Sequence, residues 1–152
     1  MRYRQLKNNV KKLRNKLFQR KWLFYSFGLS ALYTAFVLSF VWWHCYQSPL
    51  TGGSNGQLDA YRHTLASAVV AYTTSPKLVE ITTIYMESNN TPANLMDQHN
   101  NAIGANIGIT AHSFSSLTML VDAKIRQGKV NATDQNQTTW LPKTRWRTSV
   151  IW

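Results

Sequence analysis

The chain has 152 residues, a formal net charge of +11 and a single cysteine. That length allows one modest domain, and one cysteine excludes an intramolecular disulfide. Nine of the seventeen Lys and Arg residues fall within the first 21 and all six acids follow residue 58, so the basicity belongs to an N-terminal arm, and a folded nucleic-acid-binding surface is not expected.

The arm, residues 1–21, repeats apolar side chains at Leu6, Val10, Leu13 and Leu17 among its cations. That is one apolar stripe on a cationic helix, suited to lying on an anionic inner leaflet before turning into a membrane span, so membrane lipids are expected partners. Charges alone that enforce topology would also explain the arm.

Trp22 to Trp43 is an uncharged run of 22 residues. As an α-helix it covers roughly 33 Å, enough for a hydrocarbon core of about 30 Å. Aromatic residues crowd both ends, Trp22, Phe24 and Tyr25 at one and Trp42 and Trp43 at the other, as in an interfacial belt. Cations precede the run and none follows until Arg62, so a bacterial inner-membrane protein with a cytoplasmic N-terminus and an extracytoplasmic C-terminal domain is expected. No small-residue cleavage site follows, and the span reads as a retained anchor. Cys45 then lies at the outer membrane surface, either as a free thiol or in an intermolecular bridge.

Residues 44–56 read as a linker, rich in Gly, Ser and Asn. Within 57–128 the spacing predicts a helix over 58–72 and a second over 77–88, with Leu78, Ile81, Ile84 and Tyr85 in helical register. Thr91 and Pro92 supply an N-cap and a first helical residue for a third stretch running to about Gln127. Gly104 and Gly108 within that stretch either permit close helix packing or separate two helices. Residues 129–152 form an aromatic and basic tail whose Trp140, Trp146 and Trp152 cover the core or touch the membrane. No alternating pattern supports a sheet. The expected fold is all-α: one N-terminal transmembrane helix followed by a small extracytoplasmic domain of three or four helices.

Two clusters carry candidate chemistry. In the first, Asp59, Arg62 and His63 share one side of a helix through spacings of three and four. A carboxylate one turn from an imidazole binds a metal with it or holds its proton for general-base work, and an arginine beside them suits a phosphate. The second gathers Asp97, His99, Asn100 and Asn101 within five residues, and Glu87 lies between the clusters. Asp59, Arg62, His63, Glu87, Asp97 and His99 are thus the candidate catalytic residues, with Asn100 and Asn101 as binding residues. A divalent metal ion is the cofactor such a set would take, through Asp59, His63, Glu87, Asp97 and His99. The same residues also suit a plain structural role, as helix caps, ion pairs and hydrogen-bonded core groups.

The pattern G-x-x-D-A-x-R-H, then a glutamate, then M-D-x-H-N-N-x-x-G resembles an uncharacterised family of small bacterial helical domains. Gly56, Asp59, Ala60, Arg62, His63, Glu87, Met96, Asp97, His99, Asn100, Asn101 and Gly104 carry it, within residues 52–110. The resemblance implies a polar pocket and a bacterial envelope or secreted setting, with no established reaction. A histidine often precedes the glutamate in that family, where this chain has Met86. Two functions remain open: an envelope hydrolase acting on a phosphate-bearing lipid or cell-wall precursor, and a non-catalytic subunit or assembly factor of a membrane complex. A serine elbow and an H-E-x-x-H zinc helix are both absent from the sequence.

Overall fold

The structure, a computed structural model, describes the backbone of residues 2–147 and the side chains of residues 18–147. The stripe of Leu6, Val10, Leu13 and Leu17 and the final Trp152 therefore lie outside the described side chains. The chain divides into two compact units, residues 1–36 and 37–152. The described part is all-α apart from one pair of two-residue strands.

Helix α1 spans Arg2–Gln47. It passes from Lys21 into Trp22 with no break, so the turn expected between arm and span does not occur. No Pro or Gly stands near that junction to interrupt the backbone ladder. Phe18–Gln47 is long and apolar enough to cross a membrane. Within the first unit Leu23, Phe24, Tyr25, Phe27, Leu29 and Leu32 are each more than two-thirds exposed.

In the second unit, the last turns of α1 present Val37, Val41 and Cys45 at spacings of four, and all three are buried. Residues expected to begin a linker thus extend the helix to Gln47 and are part of the domain's packing. Phe40 meets Phe114 at 5.5 Å between ring centroids, and Phe114 meets Tyr72 at 5.1 Å.

Four further helices build the domain: α2 (Gln57–Thr73), α3 (Pro76–Met86), α4 (Pro92–Thr110) and α5 (Phe114–Arg126). Ser75, Thr91 and Ser113 cap α3, α4 and α5, each accepting a backbone N–H with its hydroxyl, which satisfies a donor the first turn would leave open. The stretch expected from 93 to 127 does divide, but at Ala111–Ser113 rather than at a glycine, where Ser113 and Ser116 form a reciprocal capping box.

Gly104 and Gly108 have the other role. A methyl group on Gly104 would run into the Thr64 carbonyl and Ser67 Cβ, and one on Gly108 into the Ala68 carbonyl and Ala71 Cβ. The two glycines let α4 lie directly against the backbone of α2, and this is the broadest helix pair in the domain. Around it pack the fully buried Leu65, Val69, Leu117 and Val121. Helix α3 is held far more lightly: Val79 is its only buried residue, while Leu78, Ile81, Ile84, Tyr85 and Met86 are exposed.

After α5 the chain doubles back. Strand β1 (Lys129–Val130) pairs in parallel with β2 (Thr139–Trp140). Thr138, Thr139, Trp140 and Leu141 are buried, and Trp146 is half-buried with its indole N–H donating to the Leu141 carbonyl at 2.6 Å.

Candidate functional site

The site begins in the loop before α2. Gly52 and Asn55 hold positive φ angles of 78° and 64°, the left-handed region that glycine and asparagine tolerate best. That curl aims the Asn55 N–H at Asp59 Oδ2. Asp59 sits in the first turn of α2, where the helix dipole favours a carboxylate. Its other oxygen, Oδ1, takes a hydrogen bond from Arg62 Nη2. Arg62 Nη1 donates to the Gly53 carbonyl at 2.9 Å, and its guanidinium carbon lies 5.9 Å from the centre of the Trp42 ring. Arg62 is itself buried, so its charge is directed at Asp59 and the loop rather than outward to a solute.

One turn on, His63 occupies the seam between α2 and α4. Its Nε2 lies 3.5 Å from Asp59 Oδ1 and 3.5 Å from Asp97 Oδ1. The seam exists because Asp97, Asn101, Gly104 and Gly108 recur at spacings of four, three and four, one face of α4. The glycines bring that face close to α2, and the polar pair above them then meets His63 and Ser67. On the same face Asn101 Oδ1 accepts from Ser67 Oγ at 2.8 Å.

Burial sets the protonation states. It lowers the His63 pKa, against the opposing pull of Asp59. Burial, followed by the charges of Asp59 and Glu87, raises the Asp97 pKa to about 8. Asp97 Oδ1 is buried and accepts no hydrogen bond from any described residue. Burial also raises the Glu87 pKa, with Asp59 adding to it.

The ligand atoms of Asp59, His63 and Asp97 lie within 4.8 Å of one another, and among the described residues they are the one such group. Glu87 and His99 stand outside it. Glu87 ends α3, where its carboxylate accepts from Asn94 Nδ2 at 2.9 Å. With His63 it lines a cavity of about 210 Å³ beneath α3, walled by Ala66, Val70, Val79 and Met86. His99 faces a different way, with Nε2 2.8 Å from the Gln137 carbonyl. Asn100 is fully buried and binds a backbone from both ends: Nδ2 donates to the Thr139 carbonyl at 2.8 Å, and Oδ1 accepts the Thr139 N–H at 3.0 Å. It fastens the C-terminal segment, while Asn101 faces the site. Asn55 and Ser67 complete the polar network. Of these only Asn55 has a signal in the sequence, a Gly-Gly-Ser-Asn-Gly run that favours left-handed turns.

The arrangement defines an all-helical domain with a carboxylate–imidazole–carboxylate centre at the edge of a mostly apolar cavity. Residues 44–131, more than half of the chain, match a domain of unknown function (DUF6973), and the chain belongs to that family. No curated protein and no solved structure matches it.

Proposed function

We propose that this is a membrane-anchored bacterial envelope protein whose helical domain hydrolyses a phosphate-bearing lipid or cell-wall precursor at the Asp59–His63–Asp97 centre. The observation that carries the reading is the placement of the His63 imidazole 3.5 Å from a carboxyl oxygen of each of Asp59 and Asp97, with His63 also lining a cavity. An imidazole between two carboxyl groups is a combination that activates water, as a base or within a ligand set. Water would add at phosphorus and the ester oxygen would leave with a proton.

The anchor keeps such a domain near lipid-linked substrates. The nine cations before the span and their absence from its far flank support a cytoplasmic N-terminus in the inner membrane. A periplasmic alkaline-phosphatase reporter fused after Trp152 is expected to be active, and a cytosolic signal would reverse the orientation. The activity is tested with the full chain in detergent micelles against phosphomonoester- and phosphodiester-bearing lipids. Hydrolysis is expected, with loss in His63→Ala and Asp97→Ala proteins that keep their helical circular dichroism. Turnover unaffected by either change would remove the reading.

A separate observation favours a second function, a non-catalytic subunit or assembly factor of a membrane complex. The outward face of α3, with Ile81, Ile84, Tyr85 and Met86 more than half exposed, is of the kind that partner subunits cover. Photo-crosslinking from position 85 in cells, in a protein without hydrolytic activity, would establish it.

A further inference from the structure

We infer that Asp59, His63 and Asp97 form a binding site for one divalent transition-metal ion of the zinc class, held where the ligand atoms of the three side chains converge. This goes beyond the hydrolase reading and does not depend on it.

The argument begins with distance. A four-coordinate zinc ion holds nitrogen and oxygen ligands at about 2.0–2.2 Å, which places neighbouring ligand atoms about 3.3–3.5 Å apart. His63 Nε2 stands 3.5 Å from both Asp59 Oδ1 and Asp97 Oδ1. That is beyond the usual range of an N–H···O hydrogen bond, yet it fits two edges of a coordination tetrahedron. The third edge, between the carboxylates, is within 4.8 Å.

A second observation is independent of that spacing. Asp97 Oδ1 is buried with no hydrogen-bond donor to satisfy it, although buried polar atoms nearly always have a partner. A cation among the three side chains supplies one. Beside the three side chains a polar pair crosses the same helix seam, Ser67 Oγ donating to Asn101 Oδ1 at 2.8 Å, the kind of surrounding hydrogen bonding that holds ligating side chains in place.

Charge is consistent with the same occupant. Arg62 offsets Asp59, so a dication against the remaining Asp97 carboxylate leaves the centre with about one net positive charge, attractive to a phosphate. Arg62 donates to the same Asp59 oxygen, but that oxygen retains a second lone pair. Ligands drawn from one turn of α2 and the facing turn of α4 place the metal on the tightest helix pair in the domain, which is the rigid support a coordination site requires.

The test uses the full chain in detergent, stripped with a chelator and dialysed against zinc or cobalt(II). One zinc per chain is expected by elemental analysis, and cobalt is expected to give the intense visible absorption of a tetrahedral site. Asp97→Asn, which keeps the shape of the side chain, and His63→Ala should each weaken binding by more than about tenfold. His99→Gln should bind like the parent. The site is overturned if the parent chain retains no stoichiometric metal, or if it binds metal with affinity and cobalt spectrum unchanged by Asp97→Asn and His63→Ala. Metal without lipid hydrolysis would sustain the site and end the hydrolase reading; hydrolysis without metal would do the reverse.

Discussion

The two units invert each other's chemistry. Along α1, Leu23, Phe24, Phe27 and Leu29 point outward, whereas in the domain Asp59, Arg62, Asn100 and Asn101 point inward. An unbroken apolar surface all round a helix suits hydrocarbon surroundings better than water. Polar side chains are stable inside only where each finds a partner. Stability in the first unit thus depends on what surrounds it, and in the second on a network the chain supplies for itself. The domain should therefore be sensitive to single polar or steric changes within, and the span to single charges without.

The largest effect is expected at Gly104. Gly104→Leu places a branched side chain against the Thr64 carbonyl and Ser67. It should part α2 from α4 and abolish cooperative thermal unfolding, and a melting curve like that of the parent would show that the seam is slack. Next comes the span. Leu29→Arg puts a charge in mid-helix at about 3 kcal/mol, and alkaline carbonate extraction should release the variant from membranes that retain the parent. Asn100→Ala follows, at about 2–3 kcal/mol, because it leaves both the N–H and the carbonyl of Thr139 buried without a partner; urea unfolding measures it.

The smallest effect is a slope with pH. In EDTA, with Asp97 titrating near 8 in the folded chain and near 4 unfolded, the unfolded state loses its proton first. Stability should fall as pH rises between those values, and it should be fully present only below about pH 4. Asp97→Asn should flatten that slope in denaturant midpoints taken from pH 5 to 8, and an unchanged slope would assign it to another group.

Much of this was legible in the residues because it is local. An uncharged run, a Thr-Pro start at 91–92 and the i, i+3, i+4 spacing of Asp59, Arg62 and His63 carry their consequences within a turn or two. What was not legible depends on contacts across the chain. The arm and span form one helix because no residue between them breaks it, and an apolar stripe on the arm gives no sign of a turn or of its absence. His99 and Asn100 look like further site residues in one dimension. Their partners, Gln137 and Thr139, lie about forty positions away in the C-terminal tail. Asp97 joins His63 only because two glycines admit α4 to the backbone of α2, and spacing alone left open whether those glycines pack or break a helix.

Asn100 has a practical consequence for anyone cutting the gene. The family match ends at residue 131, yet the amide that matches it in α4 is completed by Thr139, and the loop beside Asp59 receives Leu141 N–H at the Asn55 carbonyl at 2.9 Å. A fragment ended at 131 would open both connections at once and bare the wall behind the centre. An expression boundary placed beyond Arg147 keeps the closing segment with the helices it seals.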